Sequence, residues 1–470
     1  MEMYIGTKWV SATETIAVHN PFDGSLVDTV PSAGPAEVEA ALAGAARGAG
    51  VMAALTARER ARILHRTAEL LAARKEAFAR LITQESGKVI GEARVEVERA
   101  TETLTLSAEE AGRITGETLP LDAAPGGEGK FGFTLRVPCG VVVAITPFNF
   151  PLNLLCHKVG PALAAGNAVI AKPPSDTPLT ALKLTGLLLA AGLPPEGIQC
   201  ITGPGAAVGA KLCADPRVRK ISFTGSRDAG ERICRVAGIK KVTLELGANA
   251  PLIIMPDADL DLVARAVAVS GYANAGQVCI STQRVLVSDG VHGDFIDALK
   301  PRVEAITVGD PLAEATQMGP MIRRDDALRV ERWIHEAVEG GARLVSGGSR
   351  QGNLLAPSLV AEVAPGMRLS CEELFGPAVA LTRFDTLEEA IALANDSRYG
   401  LSAGIFTRNL DWAMKFVRQV QSGNLMVNWG TQWRADLMPY GGLKESGTGK
   451  EGPRYAIQEM TEIKTVVMHL

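Results

Sequence analysis

Across residues 57–83 apolar side chains recur at helical spacing, with Ile63, Leu64, Leu70, Leu71, Phe78, Leu81 and Ile82 separated by arginines and glutamates. The stripe predicts a long amphipathic helical segment. A second helical stretch is expected at about 92–112. Over 120–132 glycines and acidic residues dominate, which predicts an exposed loop or hairpin. From Val137 the pattern changes. An apolar strand at 141–145 leads into Pro147-Phe148-Asn149-Phe150-Pro151 and a helix, and a second at 168–172 leads into Pro173-Pro174-Ser175-Asp176-Thr177-Pro178 and a helix through Ala191. Short strands follow at about 198–201 and 220–224, each ended by glycines. This alternation predicts parallel βαβ units, with ligands bound at the carboxyl ends of the strands. A second α/β stretch covers about 248–442, and the tail carries a β-prone run, Ile463-Lys464-Thr465-Val466-Val467-Met468. Such a run needs a partner strand, which another subunit could supply.

Composition narrows the class without choosing a function. The 470 residues suffice for two or three domains, and 47% hydrophobic content excludes disorder. The net charge of −4 is spread over interspersed signs, so no nucleic-acid partner is expected. Seven cysteines with no C-x-x-C spacing argue against a disulfide scaffold or a zinc site, and no metal is expected. The longest apolar runs, 141–145 and 187–193, are too short to span a bilayer, and residues 1–10 carry no apolar signal core. The expected setting is cytoplasmic, with reduced thiols and no membrane partner.

Candidate chemistry begins with Asn274-Ala275-Gly276-Gln277-Val278-Cys279-Ile280-Ser281 and, upstream, Leu244-Glu245-Leu246-Gly247. A thiolate can attack an electrophilic carbonyl, and a carboxylate can then activate water to release the acyl group. Taken singly, each has a plainer explanation: a cysteine is usually a small buried hydrophobe, and a strand-end glutamate usually a solvated cap. Phe223-Thr224-Gly225-Ser226-Arg227-Asp228-Ala229-Gly230 joins a strand to a helix, where free N–H groups can meet a pyrophosphate. Its G-x-x-x-x-G spacing also fits an ordinary strand–helix turn. Gly203-Pro204-Gly205 reads as a turn.

With these motifs in order, the chain resembles the aldehyde dehydrogenase superfamily along essentially its whole length. The resemblance is carried by Pro147-Phe148-Asn149-Phe150-Pro151, Lys172-Pro173, Phe223-Thr224-Gly225-Ser226, Leu244-Glu245-Leu246-Gly247 and Gly276-Gln277-Val278-Cys279. Glu372-Glu373-Leu374-Phe375-Gly376-Pro377 and Pro439-Tyr440-Gly441-Gly442-Leu443-Lys444 complete it. The implied fold is α/β: a Rossmann-like cofactor domain (1–117 and 136–246), an α/β catalytic domain (247–443) and a small β oligomerisation element (118–135 and 455–470). A homodimer or homotetramer is implied. The resemblance makes Cys279 the nucleophile, Asn149 an oxyanion-hole donor with the Cys279 backbone N–H, Glu245 the base for thioester hydrolysis and Lys158 a support for proton relay. It implies NAD or NADP as cofactor. Lys172 would meet the adenine-side ribose, Ser226 the pyrophosphate, and Leu246 and Glu373 the nicotinamide amide and its ribose, with Phe375 packed nearby. Thr146, Phe148 and Gly225 are expected beside the cofactor as well. The other six cysteines are expected to be packing residues.

Two departures bear on specificity. Many NAD-using members carry a glutamate three residues after the motif lysine, where this chain has Ser175. A carboxylate there would repel a 2′-phosphate by ~1 kcal/mol in water-like and ~4 kcal/mol in partly buried surroundings. Its absence permits NADP, and use of both cofactors is expected. The second departure is His157, where many members have tryptophan before the lysine, with Asn153 one helical turn earlier. Together with Trp429-Gly430-Thr431-Gln432-Trp433-Arg434-Ala435-Asp436, this is similar to the branch of lactaldehyde, phosphonoacetaldehyde and non-phosphorylating glyceraldehyde-3-phosphate dehydrogenases. Asn153, His157 and Arg434 are therefore the expected substrate contacts, at a pocket mouth suited to a small hydroxylated or anionic aldehyde. A competing reading pairs Arg434 with Asp436 or another acid, shaping the loop only. Val278 brings no cation beside the nucleophile, which argues against a phosphonate. A CoA-acylating enzyme and a catalytically silent homologue are the alternatives; Glu245 argues against the first, and Cys279, Glu245 and Asn149 together against the second.

Overall fold

The computed structural model describes residues 1–470. Four helices lead into the first sheet: α1 (Pro35–Ala54), α2 (Ala57–Ala72), α3 (Lys75–Ser86) and α4 (Ile90–Ala111). The periodic segment expected over 57–83 is thus two helices, broken at Arg74 (φ −116°, ψ 20°). Leu71 and Phe78 are seven residues apart and both buried, so the apolar stripe continues across the break and hides it. The start of α2 is locally determined. Thr56 Oγ1 accepts the Glu59 N–H (3.3 Å), and the Glu59 carboxylate accepts the Thr56 N–H (2.8 Å).

The first sheet is built on five parallel strands: β1 (Val141–Ile145), β2 (Ala168–Lys172), β3 (Ile198–Cys200), β4 (Val218–Thr224) and β5 (Lys241–Glu245). Their order across the sheet is β3-β2-β1-β4-β5. Helices α5 (Asn153–Ala164), α6 (Leu179–Ala190) and α7 (Arg227–Ala237) connect or follow them. The order reverses at β1, so a crevice opens at the carboxyl ends of β1 and β4, where such sheets bind ligands. Gly447–Thr448 adds an antiparallel edge beside β5, and this brings the C-terminal glycine-rich segment over Glu245.

A second parallel sheet holds β6 (Ala250–Ile254), β7 (Thr282–Ser288), β8 (Ser358–Ala361), β9 (Ala378–Phe384), β10 (Ser402–Phe406) and β11 (Asn424–Val427), in the order β8-β9-β7-β6-β10-β11. Arg343–Ser346 lies antiparallel on its edge beside β8. Helix α8 (Leu260–Tyr272) crosses from β6 to β7. The two sheets carry separate apolar cores, and a small cluster that includes Val278, Ile280 and Tyr440 is distinct from both.

The tail forms strand Thr461–His469, and its partner lies in the same chain: it pairs antiparallel with Lys130–Pro138. A second subunit is not needed to satisfy that side. The other side is an open edge, because Lys130–Pro138 is flanked on its far side by Thr118–Leu119. The expected loop over 120–132 contains a short helical turn at Leu121–Ala123 and yields to strand at Lys130. No single helix is long and apolar enough to cross a membrane.

Candidate active site

Cys279 stands in a loop between α8 and β7 that folds against the rules for ordinary residues. Asn274 (φ 50°), Ala275 (φ 54°) and Gly276 (φ 69°) are consecutively left-handed. Side chains hold Asn274 in this strained region. The Glu92 carboxylate accepts the Asn274 N–H at 3.0 Å, and Asn274 Nδ2 donates to the Asn149 carbonyl at 3.3 Å. Gln277 closes the loop, accepting from the Ile322 N–H (2.9 Å) and donating to the Asn274 carbonyl (3.0 Å). At Gly276 a Cβ would lie 2.1 Å from the Gly376 carbonyl oxygen, so no other residue fits.

Asn149 comes from the loop after β1, and its Nδ2 donates to the Gln277 carbonyl at 2.9 Å, two residues before Cys279. An amide nitrogen has two hydrogens. One is spent on the loop; the other is available to a ligand. The Cys279 thiol is pushed up to about 11, first by burial; the Tyr440 hydrogen bond and the Arg434 charge pull it down, while Glu245 and Glu373 push it up. Glu245 ends β5 with both carboxylate oxygens buried and without a hydrogen-bond partner. Burial, reinforced by Glu451, raises its pKa well above the usual carboxylate range, against Arg434, Lys158 and Lys450. A desolvated, unpartnered carboxyl of this kind is suited to proton transfer. Gly441 leaves it room, since a Cβ there would lie 2.7 Å from Glu245 Oε1.

Beneath these groups runs a buried charge network that was only partly visible in the sequence. Lys158 Nζ donates to Glu451 Oε1 (2.6 Å) and Thr224 Oγ1 (2.7 Å). Burial alone would raise Glu451, but Lys158 and Arg434 outweigh it and hold the carboxylate at about 2. Arg434 pairs with Glu451 at 3.2 Å and stacks over the Tyr440 ring at 3.9 Å. Its acid is therefore Glu451; Asp436 is taken by Arg99 (2.8 Å) and by His157 Nε2 (2.8 Å). His157 is fully buried rather than at a pocket mouth, because α5 is buried on all sides. Burial and the nearby Arg434 outweigh Asp436 and lower its pKa to about 4, so the ring is neutral at pH 7. His157 Nε2 lies 2.8 Å from Asp436 Oδ1 and 3.1 Å from Arg434 Nη2, while Nδ1 is buried without a partner. Arg434 Nε is a buried donor in the same condition. Asn153 joins the group through Asp436 (3.1 Å) and Thr103 (2.9 Å). Glu451, Arg99 and Thr103 had no local sequence signal, since each acts through a residue distant in the chain.

The remaining predicted residues gather at the crevice of the first sheet. Lys172, at the end of β2, is buried with only the Pro173 carbonyl as partner (2.9 Å), and burial lowers its pKa to about 8 despite Asp176. Ser175 donates to the Gly203 carbonyl at 3.3 Å, while Asp176 beside it is paired with Arg323 (2.9 Å). Ser226 caps α7, accepting the Ala229 N–H at 3.4 Å, and Gly225 must be glycine because a Cβ would strike the Phe223 ring at 2.5 Å. Thr146 is buried with its hydroxyl unpartnered. Phe148 and Phe375 meet edge to face at 5.9 Å, and Leu246 packs against Gly230 of α7. Glu373 accepts the Ala248 N–H at 3.0 Å, and burial raises it to about 7.

Comparison with known proteins agrees in one direction. The model of the aldehyde dehydrogenase family matches residues 9–466. The chain is 46% identical over 468 residues to a 3-sulfolactaldehyde dehydrogenase of Priestia aryabhattai, covering 100% of this chain and 98% of the relative. It is 39% identical over 471 residues to a lactaldehyde dehydrogenase of Methanococcus vannielii, covering 99% and 100% respectively. A crystal structure of an NADP-dependent glyceraldehyde-3-phosphate dehydrogenase from Bacillus halodurans, complexed with NADP, superposes with a TM-score of 0.97 at 36% identity, covering 99% of this chain and 98% of that one.

Proposed function

The chain belongs to the aldehyde dehydrogenase family and is an oxidoreductase, and from that premise we propose that it oxidises a small hydroxylated or anionic aldehyde to its acid. The observation that carries the chemistry is the convergence of Cys279, Asn149 and Glu245 from three distant segments onto one buried pocket. The Cys279 thiolate adds to the aldehyde carbon, and a C–S bond forms. The carbonyl oxygen takes the negative charge and is received by the free Asn149 amide hydrogen and the Cys279 backbone N–H. One such donor is worth about a hundredfold to a thousandfold in rate. Bound NAD(P) supplies the acceptor for the hydride that leaves the hemithioacetal. Glu245 then takes a proton from a water molecule whose oxygen attacks the thioester carbon. The C–S bond breaks, the acid leaves and the thiolate is restored. The buried Lys158–Glu451 ion pair supports that proton transfer by charge, Lys158 favouring the Glu245 carboxylate and Glu451 opposing it.

The crevice fits the cofactor. Lys172 is a buried amine with no acid partner, Ser226 opens α7 with free backbone N–H groups, and Glu373 is a buried carboxyl with a single donor, suited to ribose hydroxyls. Ser175 in place of a carboxylate, with Asp176 neutralised by Arg323, supports use of NADP as well as NAD. For the substrate, the unpartnered His157 Nδ1 would hydrogen-bond a hydroxyl, and the unpartnered Arg434 Nε would donate to an anion. Asn153 positions them through Asp436. The names of the relatives support the same class. Seven unpaired cysteines suit a reducing cytoplasm. The open edge of strand Thr461–His469 supports assembly into a homodimer or homotetramer. The cofactor domain is taken as 1–117 with 136–246, the catalytic domain as 247–443, and the oligomerisation element as 118–135 with 455–470.

The test is a panel of lactaldehyde, glyceraldehyde, its 3-phosphate, sulfolactaldehyde, succinic semialdehyde and plain aliphatic aldehydes, each with NAD and with NADP. The expected result is high kcat/KM confined to the hydroxylated or anionic members, with free acid released without CoA. A best substrate among the aliphatic aldehydes contradicts the substrate reading. A CoA requirement contradicts the role of Glu245, and a preference for NAD above roughly a hundredfold, about 2.7 kcal/mol, contradicts dual cofactor use.

A further inference from the structure

The nucleophile has one hydrogen-bond partner in the protein: Cys279 Sγ lies 3.2 Å from Tyr440 Oη. Tyr440 in turn has no other partner for its hydroxyl and is 3% exposed. Three contacts fix it in place. Its backbone bonds to Glu451 in both directions (3.2 and 2.7 Å), Arg434 lies over its ring at 3.9 Å, and its ring packs with Ala248, Val278 and Leu401. A phenol held so firmly cannot turn to another acceptor, and a buried hydroxyl left without one is costly.

We propose that Tyr440 is a catalytic residue that donates its O–H to the Cys279 thiolate, stabilising the nucleophile and aiming it before the aldehyde arrives. This rests on the reading of Cys279 as the nucleophile. Of the charges that act most on the sulfur, Glu245 at the end of β5 and Glu373 oppose a thiolate, and Arg434 favours it. Arg434 sits on the π face of Tyr440, where it draws electron density from the phenol and strengthens the O–H as a donor. Tyr440 keeps its own proton throughout, since burial holds the phenol well above its ordinary range. The thiol proton passes to water, and the hydrogen bond becomes charge-assisted as the sulfur ionises.

The experiment follows alkylation of Cys279 by iodoacetamide from pH 7 to 9, in wild type and Tyr440→Phe, by peptide mass and loss of activity. The Sγ–C bond forms and iodide leaves, so the rate reports thiolate fraction and nucleophilicity together. A hydrogen bond to a charged group, partly offset by the greater intrinsic reactivity of a more basic thiolate, gives an expected slowing of about threefold to tenfold at every pH, with the slope unchanged. Profiles that superimpose overturn the role of Tyr440. Wild type that retains activity with Cys279 alkylated overturns the nucleophile itself, a separate failure. Should Tyr440→Phe fail to fold, 3-fluorotyrosine placed at position 440 keeps the shape and strengthens the donor. It is expected to speed alkylation below pH 8, and an unchanged or slower rate overturns the proposal.

Discussion

At the residue scale, several of the groups to which the proposed chemistry falls have buried, unpaired polar atoms: both oxygens of Glu245, Nδ1 of His157, Nε of Arg434 and Oδ1 of Asn149. An unpaired buried polar atom costs about 1–3 kcal/mol, so a cluster of them around one cysteine marks a place where a ligand completes the hydrogen bonding. The substrate reading makes a specific demand of Arg434. Arg434→Lys keeps a positive charge for Glu451 but loses the planar fork. The expected effect is a KM about tenfold higher for anionic aldehydes, with less than threefold change for a neutral one, measured by steady-state kinetics. Equal changes for both classes, or none, make Arg434 a structural partner of Glu451 alone. The nucleophile's pH behaviour follows from its environment. Burial raises the thiol above its ordinary value, so the thiol form dominates at neutral pH and thiolate accumulates as pH rises towards about 11. In the enzyme without cofactor, alkylation should therefore climb about tenfold per pH unit between pH 7 and 9, and a plateau below pH 8 contradicts this. Cys279, Glu245 and Asn149 were legible because their motifs also specify backbone. Tyr440 was legible as part of a motif, but its contact with a residue 161 positions away was not.

At the element scale, the strand–helix alternation was readable because each parallel strand is a short apolar run bounded by turn residues, as in Val141–Ile145 and Ala168–Lys172. Two features were not. The break between α2 and α3 falls where the apolar period happens to continue in phase. The depth of His157 was hidden because every residue of Asn153–Ala164 is buried, leaving α5 no polar face to orient it. The terminal strand was recognised as β-prone, but its pairing with Lys130–Pro138 is non-local and absent from the apolar pattern; only the family resemblance grouped 118–135 with 455–470. That pairing satisfies one edge only. The outer edge carries Ile463 (57% exposed) and Val467 (43% exposed), an apolar edge of the kind that invites a second chain. The double substitution Ile463→Glu with Val467→Glu is expected to shift the particle towards monomer in analytical ultracentrifugation. A wild-type chain already monomeric at micromolar concentration contradicts the oligomer reading.

At the scale of the whole molecule, the two sheets divide the labour. The first ends β1, β2, β4 and β5 around the cofactor crevice, and the second delivers Cys279 through the loop between α8 and β7. The C-terminal segment then closes over both, with Gly447–Thr448 pairing to β5 and Tyr440 reaching the sulfur. This closure explains why Glu451, and the partners of Asp436, escaped the sequence: they meet only once the chain's last fifty residues return to α4 and α5. The two proposed steps, acylation at Cys279 and hydrolysis driven by Glu245, can be separated. Glu245→Gln keeps the size of the side chain but removes the base. Mixed rapidly with aldehyde and NADP, the variant is expected to give a burst at 340 nm of about one reduced cofactor per site, then turnover slower by about a hundredfold or more, with an acyl adduct on Cys279 by mass spectrometry. Steady turnover at the wild-type rate with no burst and no adduct on Cys279 would contradict the two-step mechanism.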